Sequence, residues 1–314
     1  MSTYLITGAT SGLGLQVALR LARQGGHQLV LPVRQAASGD ALRQALGPAC
    51  LATPILDLAS LRSVADCVSL LGGGAFPRFD GVLLNAGVQA AGRLEFTADG
   101  IESSFAVNHL AHLLLAQGLV DGALLADQAR MGWTSSGTHD PNERSARMAG
   151  FRGAQYTSVQ QLAKGDFGPG TTTAQACKDA YATAKFCEIV AARAMAARHP
   201  HAATFFSFDP GLMPGTGLAR QHPPAARWVW KHVLPRLAWA LPGTSSTARS
   251  SGLLVDLLTG SLRGPYNGAY FNYTGQSVEP AAPAAEAWVE RDLMEGSAAL
   301  LRPFAPARLT STHP

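Results

Sequence analysis

The 314-residue sequence predicts a doubly wound α/β domain: a parallel sheet of about seven strands with helices on both faces. Three observations carry that prediction. Short apolar runs of strand length alternate with helix-length stretches along most of the chain. The first run, Tyr4-Leu5-Ile6, passes through Gly8, Gly12 and Gly14 directly into an apolar helical pattern at Leu15, Ala18, Leu19 and Ala22. The composition, 47% hydrophobic and 15% charged, supplies one large core and excludes a disordered chain.

The elements follow in order. A second apolar run, Gln28–Val33, is the second strand, and a polar helix covers Ser38–Leu46. Leu51–Leu56 is the third strand, closed by Asp57-Leu58. Ser60 reads as the N-cap of a helix over Leu61–Leu71, which Gly72-Gly73-Gly74 ends. Phe79–Leu84 is the fourth strand and runs into Asn85-Ala86-Gly87. A long helix is expected from Asp99 to Gly118, then a strand ending at Ser136. Tyr181 and Lys185 fall on a further helix, Ala203–Phe208 is the sixth strand, and Pro210-Gly211 turns it. A helix over Ser246–Leu258, a strand over Gly268–Thr274 and a terminal helix over Ala284–Leu301 complete the domain.

Composition also sets what to exclude. The net charge is +4 with no run of Lys or Arg, so no nucleic-acid surface is expected. Cys50, Cys67, Cys177 and Cys187 form no C-x-x-C pair, and the nine histidines show no metal-ligand spacing, so no metal is expected. The thiols read as reduced core residues of a cytoplasmic protein. The chain enters a strand by Tyr4, which leaves no room for a signal peptide, and no apolar run reaches the roughly 18 residues of a membrane span.

A strand, a glycine turn and a helix make a phosphate cradle. Glycines let the backbone approach an anion, and the helix start offers free N–H groups with partial positive charge. The spacing is Gly8-x3-Gly12-x-Gly14, distinct from G-x-G-x-x-G, and Thr10, Ser11 and Leu13 lie within the same turn. Arg34 follows the second strand, where an acidic residue would hold an adenosine ribose and repel a 2′-phosphate. An arginine invites that phosphate. Asp57 and Leu58, at the end of the third strand, sit where an adenine edge would lie.

Thr7-Gly8-x3-Gly12-x-Gly14 with Asn85-Ala86-Gly87, followed in order by Asn108, Ser136, Tyr181 and Lys185, resembles the short-chain dehydrogenase/reductase family over roughly residues 3–216. The resemblance implies a Rossmann-type fold, NADP(H) as cofactor, and interconversion of a carbonyl and an alcohol. Tyr181 and Lys185 are four apart and share a helix face, so the ammonium is expected to lower the phenol toward neutrality and make Tyr181 the acid/base. Lys185 would also bond the nicotinamide ribose, Ser136 would hold the substrate oxygen, and Asn108 would anchor a water that reloads the proton. Ser135 competes with Ser136, which is preferred because Gly137-Thr138 follows it directly. Pro210-Gly211 would wrap the nicotinamide end and Thr216 would bond its carboxamide. His109 reads as a packing histidine, His139 as a loop residue without a proton-transfer role, and Cys177 as inert packing.

Two excursions carry specificity. Residues 140–176, rich in Gly, Thr, Gln and Arg, read as a surface excursion or lid. Residues 218–244 carry Trp228, Trp230 and Trp239 among prolines, which suggests a small hydrophobic or bulky substrate. The competing reading is a membrane-surface helix, with Arg227, Lys231 and Arg236 beside the tryptophans. Within the family, the long gap between Ser136 and Tyr181 looks like the branch of light-dependent protochlorophyllide reductases and retinol-dehydrogenase-like enzymes. Leu212 stands where the former carry a Cys, and Ala184 where they favour Ser, so a dark carbonyl reductase or alcohol dehydrogenase is preferred. A protochlorophyllide-reductase-like C=C reductase and a non-catalytic NADP(H)-binding sensor are the alternatives.

Overall fold

Apolar runs without polar alternation form strands that are buried on both faces. The computed structural model describes residues 1–213, 243–262 and 266–304, and seven such strands lie in it. They are β1 (Ser2–Ile6), β2 (His27–Val30), β3 (Cys50–Ala52), β4 (Phe79–Leu84), β5 (Leu125–Thr134), β6 (Thr204–Phe208) and β7 (Ala269–Phe271). All pair in parallel, in the order β3-β2-β1-β4-β5-β6-β7. The order reverses beside β1, so the crevice of this fold opens where the loops leaving β1 and β4 part.

Each face of the sheet has its own apolar layer. On one side α1 (Gly12–Gln24), α2 (Ala36–Leu46) and α8 (Thr247–Thr259) bury Val17, Leu21, Leu42, Leu254 and Leu258 against β1 and β2. On the other, α3 (Leu61–Leu71), α4 (Ala111–Asp121), α7 (Thr173–Arg198) and α9 (Ala287–Leu301) pack over β4 and β5. Helix α7 is buried along most of its length, including Asp179, Lys185 and Glu188. Ser60 caps α3 as expected, its hydroxyl accepting from Ser63 N–H at 3.3 Å.

The structure differs from the sequence expectation in three places. The third strand spans only Cys50–Ala52, and beyond it a single bridge links Val33 to Ile55. The long helix does not start at Asp99: a π-helical stretch over Phe105–Leu110 precedes α4, and Ala111 N–H donates to the Ala106 carbonyl, five residues back. The Glu102 carboxylate, fully buried, accepts from Ser104 and Phe105 N–H and caps this start. Finally, residues 140–176 are only partly a surface excursion. They form α5 (Arg144–Met148) and α6 (Val159–Ala163), and α6 buries Val159 and Leu162 in the main core. Tyr156 anchors the segment, donating to Asp292 at 2.7 Å. Most of the 218–244 excursion, with its tryptophans, lies outside the described residues, as does Thr216.

Candidate active site

The loop leaving β1 is shaped by two glycines that admit no side chain. A Cβ on Gly8 (φ +68°) would lie 2.8 Å from Ala86 Cα, and one on Gly14 would lie 2.6 Å from the Gly8 carbonyl and from Asn85 Nδ2. Gly12 (φ +58°) differs: a Cβ there would meet nothing within 4 Å. The backbone is thus packed at Gly8 and Gly14 and open at Gly12, beside the start of α1. Thr10 and Ser11 are exposed there, and Ser11 is the N-cap of α1 with no side-chain cap bond. Leu13 is buried and packs the helix start onto the core. Arg34 is exposed at the end of the second strand run and has no hydrogen bond or ion pair among the described residues. Asp57 accepts from Ala59 N–H at 3.0 Å, and the Leu58 side chain is buried in the core.

Thr7 latches the two loops together. Its hydroxyl oxygen accepts from Asn85 N–H at 2.9 Å and Ala86 N–H at 3.1 Å, while Asn85 Nδ2 donates back to the Thr7 carbonyl at 3.1 Å. His112 closes the network. Its Nδ1 lies 3.0 Å from the Asn108 carbonyl, which can only accept, so that nitrogen carries the proton. Its Nε2, 3.0 Å from Thr7 Oγ1, then accepts the hydroxyl proton. Burial pushes His112 down to about 3, which keeps the ring neutral. Replacing His112 with Leu should leave the Thr7 hydroxyl only the longer bond to the Leu83 carbonyl at 3.4 Å and lower stability by about 1–3 kcal/mol, measured by urea unfolding.

Asn108 is fully buried, and its amide clamps the Val88 backbone: Oδ1 accepts from Val88 N–H at 2.8 Å and Nδ2 donates to the Val88 carbonyl at 3.0 Å. Gly87 sits between the two polar groups; a Cβ on it would lie 3.4 Å from Asn108 Oδ1 and 3.5 Å from Lys185 Nζ. Of the two serines after β5, Ser135 is buried and donates to the Lys185 carbonyl at 2.8 Å, a structural tie. The Ser136 side chain accepts from Thr138 N–H at 3.3 Å and lies close enough to Tyr181 to lower its phenol. His139 holds that loop, with Nδ1 2.7 Å from the Ser136 carbonyl and Nε2 accepting from Ala281 N–H at 3.3 Å. His109 packs on Phe105 and pairs with Ser297.

Tyr181 and Lys185 share a buried face of α7, with Lys185 Nζ 5.7 Å from the centre of the Tyr181 ring. Phe151, from the segment after β5, lies over the ring at 6.1 Å. The ammonium does act on the phenol in the expected direction, but burial outweighs it. Desolvation raises Tyr181 above the ordinary phenol, Lys185 and Ser136 lower it, and Glu188 and Asp209 raise it again. The phenol is therefore held above its ordinary value rather than lowered toward neutrality.

Two groups near the site, His112 and Asp209, carry no sequence motif of their own. Thr7, which opens the glycine-turn motif, and His112 tie the loops after β1 and β4 together, and His112 is legible only as the residue one helical turn after Asn108. Asp209, next to Pro210-Gly211, accepts from Gly211 N–H at 2.9 Å and lies against Gly137, and burial pushes it up to about 6. It joins the loop carrying Ser136 to the turn after β6. Pro210 itself accepts from the Ser250 hydroxyl at 2.8 Å, and Gly211 (φ +73°) has no room for a side chain beside Tyr273.

Residues 2–138 match a family model described as short chain dehydrogenase. Across 87% of this chain, a protochlorophyllide reductase of Avena sativa is 29% identical over 290 residues, which cover 90% of that protein. Protochlorophyllide reductase A of Oryza sativa subsp. japonica, a chloroplastic protein, is 31% identical over 289 residues and covered to 73%. Among solved structures, a short chain dehydrogenase from Burkholderia cenocepacia in complex with NADP superposes with a TM-score of 0.60 at 20% identity, over 87% of this chain and 96% of that one.

Proposed function

The chain belongs to the short-chain dehydrogenase/reductase family, and from that premise we propose that it is an NADP(H)-dependent oxidoreductase that interconverts a carbonyl and an alcohol on a hydrophobic or bulky substrate. The observation that carries this reading is the meeting of Tyr181, Lys185 and Ser136 at the carboxyl end of β5, with Gly87 of the loop after β4 beside Lys185.

The residues present fit a dinucleotide phosphate. The loop is open at Gly12 where α1 begins, the Ser11 hydroxyl is unspent on capping, and Arg34 is exposed without a partner among the described residues. Gly8, Gly12, Gly14 and Ser11 would hold the pyrophosphate, Arg34 the 2′-phosphate, Asp57 and Leu58 the adenine, Asn85-Ala86-Gly87 and Lys185 the nicotinamide ribose, and Pro210-Gly211 its far end. When bound, the cofactor supplies the hydride. Tyr181 donates its hydroxyl proton to the carbonyl oxygen in reduction and takes it back in oxidation. The Ser136 hydroxyl bonds the same oxygen as charge develops on it. Asn108, with its carbonyl and amide fixed by His112 and Val88, holds the wall of the pocket beside Lys185.

Changing Arg34 to Asp should move preference from NADPH toward NADH by about tenfold or more, because a charge-assisted hydrogen bond is worth about 1.5–3 kcal/mol. The ratio of the two kcat/KM values measures it. Screening aldehydes, ketones and alcohols by NADPH absorbance, with Tyr181→Phe as control, tests the reaction class. A second reading, reduction of a tetrapyrrole C=C bond under light, is favoured by the names of the relatives. Turnover of protochlorophyllide that requires illumination would establish it in place of the dark reaction.

A further inference from the structure

Glu188 is the group at this site that the proposed chemistry does not use. It lies one turn after Lys185 on α7 and has no exposed side-chain surface. Both its carboxylate oxygens face Lys185 Nζ, at 3.0 and 3.2 Å. The third contact of that ammonium is the Thr134 carbonyl at 2.7 Å. A charge buried in a helix core has a large desolvation cost, and a Glu–Lys pair is retained there only with good geometry. A packed apolar residue would serve stability at least as well, so the pair calls for a role at the site.

We propose that Glu188 is a positioning residue for the Tyr181 acid/base: it holds the Lys185 ammonium against β5 as a buried ion pair and withholds that positive charge from the phenol. The inference rests on the reading of Tyr181 as the proton donor. Its consequence is directional. A phenol beside an unpaired ammonium loses its proton easily and suits alcohol oxidation. A phenol beside a neutralised pair keeps its proton and suits carbonyl reduction; burial pushes Glu188 up to about 8 against the pull of Lys185, so the pair carries its full charge as pH rises through that value, before the phenol titrates.

The other groups facing the phenol and the ammonium come from separate elements. Asp209, after β6, adds a second negative charge and is itself approached by Glu143. Ser136, after β5, lowers the phenol, and His112, on α4, faces Lys185 as a neutral ring. Of these, Glu188 is the carboxylate in direct contact with the ammonium. Its effect on Tyr181 agrees in direction, since Glu188 is among the groups that raise the phenol while Lys185 lowers it.

The test is a spectroscopic titration of the Tyr181 phenolate in the full chain, read as ultraviolet absorbance with Tyr181→Phe subtracted. Glu188→Gln is expected to bring the Tyr181 midpoint down by about one pH unit or more, the size of effect expected from unmasking a close charge. Coincident titrations of the two proteins would overturn the proposal. If Glu188→Gln does not fold, Glu188→Asp decides: the shorter carboxylate loosens the contact with Lys185 and should bring the Tyr181 midpoint part of the way down, and an unmoved midpoint would overturn the proposal. The readout needs no substrate. A Tyr181→Phe protein with full turnover would therefore sink the proposed function while leaving this titration readable.

Discussion

Tyr181→Phe should reduce turnover by about 10²- to 10⁴-fold, the range of a positioned acid/base, while leaving the fold intact. Only a hydroxyl is removed. The ring keeps its buried place on α7 and its packing under Phe151, so thermal unfolding should change little. The pH dependence should follow the sign of the shift. Burial holds Tyr181 above the ordinary phenol range, so its hydroxyl is present throughout the neutral region. Reduction should be flat there and decline only as pH rises through the raised midpoint; oxidation, which needs the phenolate, should climb with pH. Steady-state rates in both directions across pH, compared between the two proteins, measure this. An unchanged rate in Tyr181→Phe would remove the phenol from the mechanism.

Gly14→Ala should have the second large effect. A Cβ at that position would stand 2.6 Å from both the Gly8 carbonyl and Asn85 Nδ2, and the former is backbone that cannot swing aside. The crossing between the loops of β1 and β4 would have to open, and Thr7 would lose its grip on Asn85 and Ala86. Overpacking of this kind costs about 1–3 kcal/mol. A lower melting temperature and weakened NADPH binding by fluorescence titration should appear together. Gly12→Ala is the useful contrast. A side chain there has open space around it, so its cost is the positive φ and the obstruction of an incoming phosphate.

Local signals account for what the sequence made legible. Capping by Ser60, the glycine stop after Leu71 and the unbroken apolar run at Phe79–Leu84 each act over a few residues, and α3 and β4 lie where those signals put them. The order Asn108, Ser136, Tyr181, Lys185 was likewise readable, and the structure brings these residues to one crevice. What could not be read depends on contacts distant in the chain. The depth of Tyr181 is set by Phe151 and the packing of α7, so the balance of desolvation against Lys185 was invisible. Val159 and Leu162 are apolar islands in a polar stretch, and only the docking of α6 against α9 shows them to be core. Glu188 has no sequence signal of its own, because its burial comes from the packing of α7 against the sheet.

The wide turn at Phe105–Leu110 holds one residue more per loop of backbone than the coil that follows it. It acts as a phase adjuster: each residue of an ordinary helix rotates the chain by about 100°, so excising one residue there would turn everything upstream by that angle relative to α4. Ile101 and Glu102, upstream of the turn, would then swing out of the core that buries them, while His112 kept its place on Thr7. An irregularity that looks like a flaw in the helix keeps the buried start of the segment in register with its site-facing end.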